Sequence, residues 1–114
     1  VHPRMRDMLA RLPDETEKVL MFVPYHSVRL PDEGTIEWAR WDECKRRLAT
    51  LAAQSPNAHT IDFMVRSQIT MSDENYWDAL HYTNEIASRL AELIDIGISE
   101  RRGQAGLFDY IEPK

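Results

Sequence analysis

Apolar residues recur at helical spacing in three segments of the chain. Residues 3–12 predict a short amphipathic helix that ends at Pro13, because proline interrupts helical hydrogen bonding. Residues from about 35 to 53 predict a longer helix. A third helix follows Thr83, a residue type that caps helix N-termini, and ends near 97–103. In the second helix we expect a buried stripe formed by Ile36, Ala39, Cys44, Leu48, Leu51 and Ala52.

Two short, largely apolar runs, residues 19–23 and 60–65, lie between these helices. Neither alternates regularly between polar and apolar positions, which favours strands covered on both faces, as in parallel sheets. A strand, a helix and a second strand of these lengths predict a right-handed βαβ unit. The predicted fold class is therefore α/β: a three-layer-type parallel sheet fragment in the order helix, strand, helix, strand, helix. No pattern assigns residues 104–114 to an element.

Length and composition predict one globular domain over residues 1–114. Hydrophobic residues make up 43% of the chain and charged residues 29%, so a packed core is expected rather than disorder. The formal net charge of −5 argues against nucleic acid or an anionic membrane surface as a partner. Cys44 is the only cysteine, which excludes an intrachain disulfide and a cysteine-based zinc site.

An Asp-x-x-His step, Asp78 to His81, precedes the third helix and is the clearest catalytic pattern in the chain. A carboxylate three residues before an imidazole can fold back through a tight turn and accept the Nδ1 proton, which leaves Nε2 free as a base. Asp78 and His81 are therefore the candidate catalytic residues, as orienting acid and general base. The alternative is that they only cap the following helix and hydrogen-bond to each other.

Three further residues are candidates for substrate binding: Tyr25, His26 and Trp77. Ligands of open parallel sheets bind beyond the carboxyl ends of the strands, where we expect residues 24–27 and 66–68. Tyr25 and His26 follow the first strand, and Trp77 adjoins the Asp-x-x-His step. The alternatives are a role in loop structure for His26 and in packing for Trp77.

The chain offers no recognisable nucleophile for this base, because no serine stands in a Gly-x-Ser-x-Gly or Gly-Asp-Ser context. Metal binding is not expected, since no two histidines have His-x-x-x-His spacing, and no other cofactor is expected either. His2 and His59 have no acidic residue at useful spacing, so we expect both to be exposed to solvent.

Residues 76–83, preceded by residues 61–63 and followed by a helix, resemble the C-terminal end of SGNH (GDSL-like) hydrolases. In that family the Asp-x-x-His block supplies the acid and the base of the catalytic triad. By this resemblance the two roles fall to Asp78 and His81. Residues 19–26 are also similar to the penultimate strand of SGNH-like proteins of the DltD and alginate O-acetylation type.

The resemblance covers roughly residues 16–98, but the family's Gly-Asp-Ser, glycine and Asn blocks are absent. It implies that the chain is the C-terminal portion of a larger SGNH-like domain whose serine and oxyanion hole lie elsewhere. The implied parent is an esterase or O-acyltransferase that acts on an acylated small molecule or cell-envelope glycan. By the same resemblance the parent is periplasmic and anchored to the membrane, and this chain alone is inactive.

A function of a different class is a noncatalytic α/β interaction module. A two-stranded parallel sheet leaves both of its edges open, so such a module would form homo-oligomers through these edges. In that case Asp78 and His81 serve only as capping residues.

Overall fold

The computed structural model describes residues 3–112, which alternate between helices and strands. These residues form, in chain order, α1 (Pro3–Ala10), β1 (Lys18–Phe22), α2 (Ile36–Ala52), β2 (Ala58–Asp62), β3 (Tyr76–Asp78), β4 (His81–Tyr82), α3 (Asn84–Glu100) and β5 (Asp109–Tyr110). Short 3-10 helices at Ser27–Arg29 and Asp73–Asn75 precede α2 and β3. Within residues 3–112 no helix is both long and apolar enough to cross a membrane.

β1 and β2 are parallel neighbours connected through α2, as the sequence predicts. Their register places Lys18 opposite Ala58. Thr35 Oγ1 accepts a hydrogen bond from the Trp38 amide at 3.1 Å, and this N-cap fixes where α2 begins. The sheet has the order β1-β2-β5, and β5 pairs with β2 in the antiparallel sense. The α/β class is therefore confirmed, whereas the sheet is parallel only between β1 and β2.

β2 lies at the centre of the sheet and leads into the core. Ile61 and the following Phe63 are fully buried and cluster with Phe108 and with one face of α3. The α3 residues of this cluster are Ile86, Leu90 and Leu93. In β1, by contrast, Val19 and Met21 are only half-buried, because that strand has a neighbour on one side. Residues 19–22 of β1 are all half-buried, so each face of this strand is covered in part.

α2 turns a different face toward the sheet from the one that its apolar pattern predicts. Ala49 and Ala52 are its buried residues. Lys45, one turn before Ala49, donates to the Met64 carbonyl at 2.8 Å and pairs with buried Asp62 at 2.8 Å. The predicted stripe is wrong at three exposed positions, Ile36, Ala39 and Cys44. A lysine that must reach a buried carboxylate fixes the rotation of α2, which hydrophobic periodicity alone does not reveal.

The tail after α3 returns to the sheet and covers the β2 edge. The Ile111 amide donates to the Thr60 carbonyl at 2.9 Å, which extends the pairing of β5 with β2. Phe108 enters the core beside Gly97, where a Cβ atom would stand 3.2 Å from the Phe108 ring. The missing side chain at Gly97 therefore gives the tail room to pack against α3.

His59 is buried, although the sequence predicts an exposed position for it. Its side chain hydrogen-bonds through Nε2 to Glu17 at 2.5 Å and through Nδ1 to the Tyr110 hydroxyl at 2.6 Å. These partners are 42 and 51 residues away along the chain, so local spacing could not identify them. His2, the other histidine predicted to be exposed, lies outside the described residues.

Candidate active site

The Asp-x-x-His step lies on a small β-hairpin formed by β3 and β4. Asp78 and His81 face each other across its two-residue turn. Asp78 Oδ1 accepts hydrogen bonds from the amides of Leu80 at 2.8 Å and His81 at 3.0 Å. An aspartate that binds amides two and three residues later stabilises such a turn locally. Sequence reasoning predicted the turn but not the two strands that flank it.

The Asp78 carboxylate also holds the His81 ring in place. Both of its oxygens lie 2.8 Å from His81 Nδ1. When Nδ1 carries the ring proton, this contact leaves Nε2 as the unprotonated nitrogen. Among the described residues Nε2 accepts no hydrogen bond, so the ring can take a proton from a group brought to it.

Hydrogen bonds hold the pKa of the Asp78 carboxyl below its ordinary value. The main cause is the Leu80 amide, followed by the His81 ring. The carboxylate is therefore ionised at neutral pH, as the orienting role requires. Both side chains are open to solvent, with 60% of Asp78 and 72% of His81 exposed, so water screens the charge of the pair.

Hydrogen bonds from the loop after β1 hold the hairpin at the carboxyl end of the sheet. The His26 amide donates to the Ala79 carbonyl at 3.0 Å, and the Tyr76 hydroxyl donates to the Pro24 carbonyl at 2.7 Å. The Ser27 amide donates to the Thr70 carbonyl at 2.8 Å. Residues 24–27 thus lie beside the Asp78–His81 pair, as their place after a parallel strand predicts.

His26 contributes to this attachment through its ring as well as its backbone. Its Nε2 atom lies 2.7 Å from Asp73 Oδ1, and its Nδ1 atom accepts the Val28 amide at 3.1 Å. The ring also packs edge-on against Tyr76, with 5.1 Å between centroids. Both ring nitrogens are therefore engaged within the protein, and only 12% of the side chain is exposed. A ligand would have to displace one of these contacts to bind the His26 ring.

Asp73 is the residue of this region that sequence reasoning missed as a partner. It forms a second His–Asp pair with His26 across 47 residues. No sequence signal marks that pair, because only the fold brings the two segments together. Asp73 is the first residue of the 3-10 helix that precedes β3.

Four exposed apolar side chains lie on the hairpin or on the two segments that adjoin it. Trp77, on β3, is 76% exposed, and Leu80 in the turn is 41% exposed. Val28 and Met71, at 73% and 63%, belong to the segments that the backbone bonds of Ser27 and Thr70 join. Tyr25, the remaining predicted binding residue, is half-buried. This part of the surface thus carries exposed apolar groups that could contact a nonpolar part of a substrate or a covering protein surface.

No hydroxyl or thiol of residues 3–112 hydrogen-bonds to His81 Nε2. Ser67, on the loop after β2, is buried and bonds to Thr70 and nearby amides. Ser72, close to the hairpin in sequence, donates to the Gln68 carbonyl at 3.3 Å. The same residues also contain no group of three or more His, Cys, Asp or Glu side chains arranged to hold a metal ion. The geometry therefore provides a base and its orienting acid without a bonded nucleophile.

Comparisons of this chain with protein-family models, with curated proteins and with solved structures found no match.

Proposed function

We propose that this chain supplies the acid–base pair of an SGNH-like serine esterase or O-acyltransferase. The observation that supports the proposal is the contact of both Asp78 carboxylate oxygens with His81 Nδ1 at 2.8 Å, which leaves Nε2 available. The nucleophile in this proposal is a serine from outside the chain. The exposure of the His81 side chain is consistent with a site that a second surface completes.

In the proposed reaction, His81 Nε2 takes the proton of the serine hydroxyl while the serine oxygen attacks the acyl carbonyl. The Asp78 carboxylate stabilises the imidazolium that forms. The imidazolium then gives its proton to the departing alcohol oxygen, and an acyl-serine remains. Water, or the hydroxyl of an acceptor, next loses a proton to Nε2 and attacks the acyl-serine, and the serine recovers a proton from His81.

The proposed substrate is an acylated small molecule or glycan of the cell envelope. Trp77 offers an exposed indole that could support a sugar ring or an acyl chain beside the base. Tyr25 and His26 belong to the loop that is hydrogen-bonded to the hairpin. In the proposed parent, further parallel strands continue the sheet beyond β1, and helices on both faces give it three layers.

The test is an acetyl-ester assay on the longer protein that this proposal implies, with His81→Ala and Asp78→Asn variants. Loss of the general base should reduce kcat by about 10²–10⁴-fold. Asp78→Asn keeps an acceptor oxygen for the turn but removes the charge, so it too should reduce kcat strongly. Glu85→Gln, which changes an exposed carboxylate at the start of α3, is the matched control and should retain activity. Full turnover by folded His81→Ala protein would contradict the proposal.

A second candidate function is self-association through an open sheet edge. Among the described strands, β1 pairs only with β2 and leaves its outer backbone groups without a strand partner. The other expected open edge is not available, because β5 covers β2. The outer edge of β5 is also open among the described strands, but β5 has only two residues, so a homo-oligomer would use the longer edge of β1.

A further inference from the structure

A groove of about 1010 Å³ lies between α2 and the tail, away from the hairpin. One stripe of α2 forms its first wall, and the loop at residues 30–33 closes one end. Residues 62 and 64–66 lie where the chain leaves β2, and residues 108–112 of the tail line the opposite side. None of the five predicted active-site residues is part of this lining. The volume lies at the upper end of the ~300–1000 Å³ that small-molecule sites occupy.

Two tryptophans form the aromatic part of the first wall. Trp38 and Trp41 are three residues apart on α2 and therefore project from neighbouring positions on one face. Farther along the same face, Lys45 and Ala49 face the sheet while they also line the groove. Trp38 is 37% exposed. Indole faces in an open groove bind apolar chains and organic cations.

The basic groups that line the groove are already paired with carboxylates. These ion pairs are Lys45–Asp62 at 2.8 Å, Arg46–Asp42 at 2.8 Å and Arg66–Asp32 at 3.1 Å. Arg66 also donates to the carbonyls of Pro31 and Leu30, which ties the end of the groove to the loop after β2. The three pairs contribute no net charge, and among residues 3–112 they leave no basic group of the lining free to attract an anion.

Three further acidic residues line the same groove: Glu33, Asp109 and Glu112. None of them forms an ion pair within residues 3–112, so they give the groove a net charge of about −3. Burial raises the pKa of Asp62, Lys45 lowers it, and the charge of Asp109 raises it again. The Asp109 carboxylate therefore acts electrostatically on the buried Asp62–Lys45 pair. A cation would relieve this repulsion.

We propose that the groove binds a linear organic polycation, such as a polyamine. The ammonium groups would lie near Glu33, Asp109 and Glu112, and the methylene segments would pack on Trp38 and Trp41. An anion would be repelled by these three carboxylates. A neutral ligand would contact the indoles but leave the charge of the groove uncompensated. The site is independent of the proposed esterase function, since it shares no lining residue with the hairpin.

The test is isothermal titration calorimetry of the 114-residue chain with spermidine and, for comparison, with a neutral diol of similar length. Spermidine should bind saturably, and raising the salt concentration should weaken its binding because screening reduces charge attraction. Trp38→Leu should raise Kd by about 5-fold. Asp109→Asn should raise it by a similar factor, about 3- to 5-fold, since one carboxylate is lost. Trp77→Leu and Asp95→Asn, which alter an indole and an exposed acid outside the groove, are the matched controls.

Circular dichroism of each variant establishes that it is folded. If Trp38→Leu does not fold, Asp109→Asn still tests the groove, because Asp109 is not part of α2. The proposal is wrong if spermidine shows no saturable binding up to about 10 mM, corresponding to an affinity weaker than about −3 kcal/mol. It is also wrong if both groove variants bind as wild type does or if the neutral diol binds equally well. Tighter binding of a lysine-rich peptide than of spermidine would overturn the assignment to a small molecule.

Discussion

At the scale of single residues, Asp78 makes two kinds of contact in the hairpin. Its Oδ1 atom accepts the amides of Leu80 and His81, which shapes the turn, and its carboxylate contacts the His81 ring. The group that orients the base therefore also builds the loop that carries the base. Replacing Asp78 with alanine would remove both contributions, whereas asparagine preserves an acceptor and removes the charge.

The lowered pKa of Asp78 leads to a prediction about pH. Because the folded-state pKa is below the ordinary value of about 3.9, this carboxylate stabilises the fold fully above that value. The contribution is lost as the pH falls through the lowered pKa. Titration of the Asp78 side-chain carbon by NMR should therefore show a midpoint below the ordinary one. In His81→Ala the midpoint should rise only in part, because the Leu80 amide still binds; a complete return would contradict the geometry.

Gly103 offers a second prediction at this scale. A Cβ atom there would stand 2.5 Å from the Phe108 carbonyl oxygen, which is a backbone atom of the returning tail. Gly103→Ala should therefore displace the tail and lower the free energy of unfolding by about 1–3 kcal/mol. Denaturant unfolding measures this loss. Hydrogen exchange at Ile111, whose amide bonds to Thr60, should increase in the variant, and unchanged protection would contradict the prediction.

At the scale of elements, the hairpin depends on its neighbours. β3 has three residues and β4 has two, and an isolated hairpin of that size is not stable in water. The backbone bond from His26 to Ala79, the hydroxyl bond from Tyr76 to Pro24 and the ring contact of His26 with Asp73 attach it to the loop after β1. The position of the candidate base is therefore set by the carboxyl end of β1.

Tyr76 allows this attachment to be tested. Burial raises the pKa of Tyr76 to about 12 and also raises the pKa of Tyr110, so two phenols of the folded protein should ionise later than an exposed tyrosine. The unfolded phenol loses its proton near pH 10, and stability should therefore fall as the pH rises from about 10 to 12. Absorbance titration of Tyr76→Phe should lack the component near pH 12, and the unfolding free energy of the variant should fall by about 1 kcal/mol. Tyr110→Phe is the control and should retain the component near pH 12.

The rotation of α2 leads to a further prediction. Lys45→Met leaves buried Asp62 without its cation and should cost about 3–5 kcal/mol at neutral pH. Burial raises the pKa of Asp62. As the pH rises, the unfolded state therefore loses this proton at a lower pH than the folded state does. The loss in the variant should therefore be smaller at acidic pH than at neutral pH, because a protonated Asp62 no longer needs a cation. Denaturant unfolding at both pH values tests this, and Lys45→Met/Asp62→Leu should recover much of the stability.

At the scale of the whole molecule, one core supports two separate surfaces. Ile61, Phe63 and Phe108 pack with α3 on one side of the sheet, while Lys45 of α2 reaches Asp62 on the sheet. The hairpin lies near the end of β1, and the groove lies near the end of β2. The outer edge of β1 stays without a strand partner among the described residues.

That edge leads to a prediction about self-association. If copies of the chain pair through β1, sedimentation should show a larger species as the concentration rises, and salt should affect it little because strand pairing is not ionic. Hydrogen exchange at the β1 amides that do not bond to β2 should slow in parallel. The amides of β2 are the internal control, since neighbours flank that strand on both sides. A monomer at every concentration would exclude this function.

The sequence by itself determined the helices, the parallel pair of strands and the contact of Asp78 with His81. These features depend on local signals: capping at Thr35 and Thr83, apolar runs of strand length, and a carboxylate three residues before an imidazole. Each of these features involves groups that are close together in the chain, or two strands whose connection is too short to allow another pairing.

Only the tertiary structure decided which distant groups meet. The antiparallel tail, the burial of His59 with Glu17, the pairing of His26 with Asp73 and the face that α2 presents all depend on partners far apart in sequence. Local periodicity cannot reveal a partner 42 or 47 residues away, because the energy of such a contact exists only once the fold has formed.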